Sequence, residues 1–302
     1  MGEVYETTLS MPPLLPWLSH RSLRLLHAVG AALGWLAYAA SPSYRRRLKA
    51  NAALAGVSAA VRRASVAEAG KLLMELPRLW LRPPLQPIND SVQWDGAELV
   101  EQALEQGRGL ILLTPHLGSF EVAAQAYAER FGARQPITVL YRPARQTWLR
   151  GLEETARARP ALATAPASLA GVRQLMRALR KGQTLGMLPD QVPPLGLGVW
   201  APFFGQPAYT MTLAPRLAQS TGAAVLLVWA ERLPRGAGYA VRLRPLARAL
   251  PAQSGLDEEA WMVAAAAAIN HSMESVILQR PEQYLWGYHR YKQPRQAESA
   301  PS

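Results

Sequence analysis

The sequence predicts an α/β fold, in which a mixed, partly parallel sheet is flanked by helices. From Gly109 onward, apolar runs alternate with segments of helical spacing in the order strand, helix, strand, helix, strand, helix, strand. Apolar strands that alternate with helices are typical of sheets with parallel components. The residues before about 96 have helical patterning instead, so we expect a helical N-terminal extension ahead of the sheet.

The expected strands are short apolar runs, several of them bounded by Gly or Pro. They are GLILLT from Gly109, ITVLY from Ile137, TLGMLP from Thr184, AVLLVWA from Ala224 and YAVRLRP from Tyr239. The expected helices carry apolar residues at helical spacing, and a glycine stops two of them. They are EVAAQAYAERF from Glu121, SLAGVRQLMRALRKG from Ser168, TMTLAPRLAQSTGA from Thr210 and EEAWMVAAAAAINHSMESVILQ from Glu258.

The extension contains an apolar run, Leu25 to Ala40, with basic residues on both sides. The run has 16 residues, fewer than the roughly 20 that span a bilayer comfortably. We favour a membrane-attached helix that lies in the interface or inserts shallowly, with its basic flanks near anionic headgroups. Two alternatives stay open: a buried helix of a soluble domain, and a cleaved signal peptide. The expected limits are a loose N-terminus at 1–16, the extension at 17–95, the α/β domain at 96–292 and a disordered tail at 293–302.

The cysteine content and the net charge exclude some kinds of site and favour some kinds of partner. The 302-residue chain has a net charge of +12 and no cysteine. The lack of cysteine excludes disulfides, thiolate metal sites and a cysteine nucleophile. The positive charge favours an anionic membrane surface or an acidic protein partner. Nucleic acid fits less well, because the arginines are spread along apparently folded segments and no nucleic-acid-binding motif is present.

His116 and Glu121, in the stretch LLTPHLGSFEVAAQAY, are the first candidates for chemistry. On one helix, five steps would put them about 140° apart, so they meet only if the chain turns between them. Gly118 and Ser119 supply such a turn. A carboxylate on one ring nitrogen would fix the tautomer and leave the other nitrogen free to accept a hydroxyl proton. Backbone N–H groups near Gly118 could then stabilise an oxyanion. The alternative is a histidine that only caps the helix.

Further polar residues follow later strands. Arg142 and Arg145 follow the ITVLY strand, and Asp190 and Gln191 follow the TLGMLP strand. In a parallel sheet all four lie at the same edge as His116, where ligands of α/β folds gather. The arginines suit phosphate or a polarised carbonyl, although a solvated arginine loop is the alternative. A loop rich in Gly and Pro then carries aromatic residues that could line an apolar channel for an acyl chain or merely plug the loop: Trp200, Phe203, Phe204 and Tyr209.

The sequence shows no evident covalent nucleophile. No G-x-S-x-G motif is present, so a serine elbow is absent. The hydroxyl of a second substrate therefore becomes the expected attacker. With water in its place the reaction would be that of a thioesterase or lipid hydrolase, and a lipid-binding protein without catalysis is a third possibility.

The order of these blocks resembles a known family. His-x4-Glu is followed by an Arg-Pro block, Pro-Asp-Gln, PFFGQPAYT, STGAAVLLV and PEQYLWGYHRYK. This order is similar to that of the lipid A biosynthesis acyltransferases, the lauroyl and myristoyl transferases within the wider lysophospholipid acyltransferase group. The likeness extends from about Leu23 to Lys292, and it implies a sheet and helices like those of the glycerolphosphate acyltransferases.

The resemblance implies roles for particular residues. His116 would be the general base, Glu121 its orienting partner, Arg142 a group that binds phosphate or stabilises charge, and Asp190 part of the acceptor site. It also implies an acyl donor on acyl carrier protein or coenzyme A, a lipid A precursor as acceptor, no metal or other cofactor, and a place on the cytoplasmic face of the inner membrane. The chain departs from the family pattern after the Arg-Pro block and after Asp190. These departures leave another lysophospholipid or an ornithine-type lipid open as acceptor.

Overall fold

The computed structural model describes residues 14–83, 85–141, 159–252 and 255–296. Arg142 and Arg145 therefore lie outside the described residues, as do residues 1–13 and 297–302. Helix α1 begins at Leu14. The N-terminus was expected to be loose through residue 16, and this expectation is wrong for residues 14–16.

In the part of the N-terminal extension that the structure describes, the chain forms four helices. Serine side chains cap three of them, since Ser22, Ser41 and Ser58 each accept a hydrogen bond from a backbone N–H in the first turn. The helices are α1 (Leu14–Ser19), α2 (Leu23–Ala40), α3 (Pro42–Leu54) and α4 (Ala59–Trp80). Among the described residues, α2 is the one helix long and apolar enough to cross a membrane, and about a fifth of it is buried in the protein (22%).

Helices α2 and α4 pack at unusually close range through glycines. A Cβ atom built on Gly70 would lie 1.9 Å from the carbonyl oxygen of Gly30, and one on Gly34 would lie 2.3 Å from that of Val66. Both distances are too short for any side chain, so the backbones meet only because these positions are glycine. One side of α2 is therefore fixed against protein.

A seven-stranded sheet has the order β1-β9-β8-β2-β5-β3-β4. Strands β8, β2, β5, β3 and β4 are mutually parallel, β9 runs antiparallel to β8, and β1 is parallel to β9. A separate hairpin is formed by β6 and β7. The strands are β1 (Val92–Asp95), β2 (Leu110–Leu113), β3 (Ile137–Tyr141), β4 (Leu162–Pro166), β5 (Thr184–Met187), β6 (Gly198–Phe203), β7 (Gln206–Met211), β8 (Ala224–Arg232) and β9 (Tyr239–Pro245).

Helices cover both faces of the sheet, which explains why β2 is apolar at every position. Leu110 and Leu112 join the apolar cluster beneath the helices α5 and α6. Ile111 and Leu113 point to the other face and pack with the helices α7, α8 and α9. These helices are α5 (Ala97–Glu105), α6 (Phe120–Phe131), α7 (Leu169–Arg180), α8 (Leu213–Thr221) and α9 (Glu258–Ile277).

The mixed, partly parallel sheet flanked by helices is confirmed, and so are the five apolar strands and the four helices expected after Gly109. The apolar patterning did not predict β1, β4 and the hairpin, which are at the edge of the sheet or outside it. It also missed α5. Because β1 pairs with β9 from Val92 onward, the sheet begins before the expected boundary at residue 96.

Candidate active site

The site forms where two neighbouring parallel strands end. The carboxyl ends of β2 and β5 are side by side, with Leu113 opposite Met187, and the N–H of Thr114 donates to the carbonyl of Met187 at 3.0 Å. His116 follows the first strand and Asp190 follows the second by a similar number of residues. Two segments that are 74 residues apart in the chain are thereby brought into contact.

Gly118 makes the turn that carries the chain from β2 into α6. Its φ is +61°, a left-handed conformation that favours glycine. A Cβ atom there would also lie 2.0 Å from the carbonyl oxygen of Ala230. The turn is tied down on both sides, because the N–H of Gly118 donates to Gln283 O at 3.0 Å and that of Ser119 to Ala230 O at 2.7 Å.

Asp190 binds His116 with both carboxylate oxygens. Its Oδ1 is 2.7 Å from the ring Nδ1, and its Oδ2 accepts the backbone N–H of His116 at 2.9 Å. The side chain of His116 is 17% exposed and that of Asp190 only 2%. An ionised carboxylate can only accept, so the Nδ1 of His116 carries a proton, and in the neutral imidazole the lone pair is on Nε2.

The surroundings keep Asp190 ionised although it is buried. Burial by itself would raise its pKa, but the electrostatic attraction and the hydrogen bonds of His116, together with the positive charge of Arg290, hold the pKa of Asp190 below its usual value. The hydroxyl of Tyr284 also donates to Oδ2 at 3.2 Å. Burial and the nearby Asp190 raise the pKa of Tyr284 well above its ordinary value, so the phenol stays protonated and able to donate.

The other ring nitrogen of His116 faces Gln191. The side-chain Nε2 of Gln191 is 2.9 Å from Nε2 of the imidazole. Both residues line a cavity of about 1130 Å³, and Glu121 lines it too. The remaining wall is largely apolar and includes Leu112, Val139, Val172, Met187 and Leu213. A histidine with a fixed tautomer therefore faces an apolar cavity, an arrangement that can remove a proton from a hydroxyl on an apolar substrate.

Comparison with known proteins identifies the family. Residues 17–293 match the family model described as bacterial lipid A biosynthesis acyltransferase. The chain belongs to this family. It is 27% identical to the lipid A biosynthesis lauroyltransferase of Escherichia coli K12 over 224 residues, which are 74% of this chain and 69% of that protein. It is 28% identical to the palmitoleoyltransferase of the same strain, over 74% of this chain and 68% of that one. A lipid A biosynthesis acyltransferase of Shigella flexneri is similar to the same extent, at 28% identity.

The resemblance stated from the motifs is thus confirmed, and the protein is an acyltransferase. The structure corrects one assignment within the candidate site. The carboxylate hydrogen-bonded to the Nδ1 of His116 is that of Asp190, whereas the sequence analysis gave this position to Glu121. Glu121 is in the first turn of α6 and lines the cavity. Both ring nitrogens have other partners, Asp190 and Gln191.

Two further expectations about the candidate site do not hold. The N–H of Gly118 was expected near an oxyanion, but it already donates to Gln283 O. The aromatic residues of the β6–β7 hairpin and its turn were expected to line an acyl channel, and the described lining of the cavity does not include them. Phe203 is buried in the core, as the alternative of an aromatic plug implied, and Trp200 packs edge-on against Tyr209. Phe204 packs between Phe203 and Trp286.

Two residues that support Asp190, Tyr284 and Arg290, were not predicted from the sequence. Tyr284 lies in the PEQYLW block, and the only signal for it was that block's part in the family resemblance. Arg290 is 2% exposed, and it donates to the carbonyl of Tyr209 at 2.7 Å and to Thr210 Oγ1 at 2.8 Å. Among the described residues, no three His, Asp or Glu side chains come together as a metal site would need.

Proposed function

We propose that the protein transfers a fatty acyl chain from a thioester donor to a hydroxyl of a lipid A precursor, with His116 as the general base. The observation that carries the proposal is the ring of His116, whose Nδ1 is held by the buried Asp190 and whose Nε2 faces the apolar cavity. Family membership supports acyl transfer in lipid A biosynthesis. The relatives named for lauroyl and palmitoleoyl transfer suggest a fatty chain as the group transferred.

In the proposed reaction the acceptor hydroxyl gives its proton to Nε2 of His116 while its oxygen attacks the thioester carbonyl. The positive imidazolium is stabilised by the ionised Asp190. The tetrahedral intermediate then collapses, the C–S bond breaks, and the proton on Nε2 passes to the leaving thiolate. The products are an ester and a free thiol. Arg142, and with it Arg145, stays the proposed group for the oxyanion or a phosphate of the acceptor.

We propose that Glu121 and Gln191, which line the cavity beside His116, contact the substrate. Glu121 lines the cavity from the first turn of α6, where it reaches the same space as His116. We assign it to positioning of the acceptor beside the base. The cavity exceeds the roughly 300–1,000 Å³ of ordinary small-molecule pockets, and its apolar wall is suited to a fatty chain.

The direct test uses the full chain in mixed micelles with lauroyl-acyl carrier protein and a lipid A precursor, with products followed by mass spectrometry. Loss of the general base in His116→Ala should lower kcat by about 10²–10⁴-fold. His271→Ala is the matched control, because His271 is on α9 and half exposed. Unchanged turnover by a folded His116→Ala enzyme would refute the mechanism. Acyl release that ignores the acceptor would favour a hydrolase, and transfer to another lysophospholipid or an ornithine-type lipid alone would correct the acceptor.

We also propose that α2 attaches the enzyme to the cytoplasmic face of the inner membrane while lying flat in the interface. The stripe formed by Leu25, Val29, Leu33 and Leu36 is 40–64% exposed, and arginines flank the helix. The opposite side carries His27, whose Nε2 is 3.1 Å from the buried Glu75. A spanning α2 would have to leave α4 or bring the buried Glu75 and its polar partners into hydrocarbon, which is costly.

The lack of native cysteine allows single spin labels to measure the depth of α2. Leu25→Cys and Leu36→Cys are on the same stripe, about 16 Å apart along the axis at 1.5 Å per residue. In anionic vesicles a flat helix gives the two labels equal immersion depths, whereas a spanning helix gives depths that differ by about 16 Å. Gln102→Cys on α5 serves as a reference outside the extension. Labels that remain in water at both positions would refute attachment through this stripe.

A further inference from the structure

Nε2 of His116, which would take the proton of the lipid hydroxyl, already has a hydrogen-bond partner. Because the Nδ1–H of His116 donates to Asp190, Nε2 of the neutral imidazole can only accept, and the group 2.9 Å away is the amide nitrogen of Gln191. The reverse orientation of the amide would set its oxygen against this lone pair. The hydrogen-bond network therefore settles the orientation of the amide.

The backbone on either side of Gln191 is fixed. Asp190 is held by His116 and Tyr284. The N–H of Val192 donates to the hydroxyl of Tyr288 at 3.0 Å, and two prolines follow, which restrict the chain further. The side chain of Gln191 is partly exposed to the cavity. It can thus leave His116 by side-chain rotation, without a change in the loop.

We propose that Gln191 is a positioning residue that occupies the base until the lipid acceptor displaces it, and so limits hydrolysis of the acyl donor. This role rests on the proposed function. Transfer forms a C–O bond to the lipid, breaks the C–S bond and releases a thiol. Hydrolysis forms a carboxylic acid by the same steps, with water as the nucleophile. A water molecule would replace the amide of Gln191 with a single hydrogen bond to Nε2. The lipid acceptor makes that hydrogen bond and also contacts the apolar wall of the cavity, so it can displace the amide where water cannot.

The test compares wild type with Gln191→Ala, which removes the amide and leaves the lone pair open to water. Hydrolysis of lauroyl-acyl carrier protein is measured without acceptor, and transfer is measured with a lipid A precursor. The ratio of hydrolysis to transfer should rise roughly three- to tenfold, the equivalent of one net hydrogen bond. His116→Ala in the Gln191→Ala background should abolish the added hydrolysis. Leu195→Ala, an exposed change in the same loop, should leave the ratio unchanged.

Gln191→Glu tests the contact with His116 through the pH–rate profile, which would not shift if Gln191 only supported the loop. A carboxylate beside Nε2 stabilises the imidazolium, so the acid limb of the pH–rate profile should shift to higher pH. A wild-type enzyme that transfers, together with a Gln191→Ala enzyme whose ratio is unchanged, overturns the role of Gln191 alone. A wild-type enzyme that transfers acyl chains to no lipid overturns the proposed function and this role with it.

Discussion

His116 depends on the buried Asp190 for its protonation state. Asp190 presents one oxygen to Nδ1 of the ring and the other to two fixed donors, the backbone N–H of His116 and the Tyr284 hydroxyl. The carboxylate suits this position because all three neighbours donate. An isosteric amide cannot do the same, since one of its two ends is a donor.

We therefore expect Asp190→Asn to reverse the tautomer of His116. The amide oxygen would turn to the two fixed donors, and the NH₂ group would face Nδ1, which must then give up its proton. Nε2 would carry the proton and could no longer act as a base. We expect kcat to fall by about 10²–10⁴-fold, and ¹⁵N chemical shifts of the ring should report the exchange of the two nitrogens.

Glu121→Gln is the matched comparison for this experiment. It removes a carboxylate from the same cavity but leaves Asp190 on the ring, so the ¹⁵N signature of His116 should stay that of wild type. A tautomer that changes in Glu121→Gln and persists in Asp190→Asn would restore Glu121 to the orienting role.

The sequence was informative about His116 and less so about its partner. Apolar runs ending in polar residues predicted that His116, Asp190 and Gln191 lie at the same edge of the sheet. They did not predict which carboxylate touches the ring, because this depends on the pairing of β2 with β5 and on the turn at Gly118. Tyr284 and Arg290 come from a C-terminal segment without periodic patterning, and only its folding back onto the site reveals their contacts.

At the scale of elements, close packing of α2 on α4 depends on the absence of side chains. Gly70→Ala would normally stabilise a helix by about 1 kcal/mol through helix propensity. Here the new Cβ would collide with the backbone of Gly30, and overpacking costs about 1–3 kcal/mol. We expect a net loss of stability in urea unfolding. A gain of about 1 kcal/mol would show that the two helices do not meet at this register.

A buried ion-pair network joins these helices to the sheet. Glu75 receives hydrogen bonds from Arg232 at 3.2 Å and from Tyr239 at 3.2 Å, and it lies 3.1 Å from His27. Arg232 also binds Glu68 at 3.0 Å. Because Glu75 and Arg232 are both almost fully enclosed, removal of one partner leaves a charge that neither water nor a counter-ion fully compensates.

We expect Glu75→Leu to cost about 3–5 kcal/mol in the free energy of unfolding. The double variant with Arg232→Met should cost less than the sum of the two single changes, because it removes both charges. The control is the exposed pair Arg130 and Glu101, 3.9 Å apart, whose coupling should stay within about 0.5 kcal/mol. Additive costs at Glu75 and Arg232 would contradict the coupling that the structure implies.

Strands β1 and β4 and the hairpin, which the sequence did not predict, differ in burial from the central strands. Central strands are buried on both faces and therefore read as unbroken apolar runs, which is why β2, β5 and β8 were predicted. Strand β4 at the sheet edge has the sequence LATAP, of which only Leu162 and Ala165 are buried, and the hairpin contains Pro202 and Pro207. Such segments become strands through their neighbours rather than through their own composition.

At the scale of the whole molecule, the extension and the catalytic domain form one structure rather than an anchor on a tether. The ion-pair network crosses from α2 and α4 to β8 and β9 through His27, Glu75, Arg232 and Tyr239. If α2 lies in the interface, the sheet and its cavity are therefore held at a fixed orientation to the lipid surface. Binding a lipid from that surface then requires no search by a flexible linker.

The net charge of +12 predicts how the proposed donor reaches the enzyme. An acidic carrier protein is steered toward a positive surface, an effect worth roughly 10–10³ in association rate that salt removes. We expect kcat/KM for lauroyl-acyl carrier protein to fall about tenfold or more as NaCl rises from about 0.05 to 0.5 M, where the Debye length shortens severalfold. The control donor is lauroyl-pantetheine, which has the same thioester and no charge. In neutral detergent micelles its kcat/KM should change little over this range, and an equal fall for both donors would place the salt effect on the lipid acceptor instead of the carrier protein.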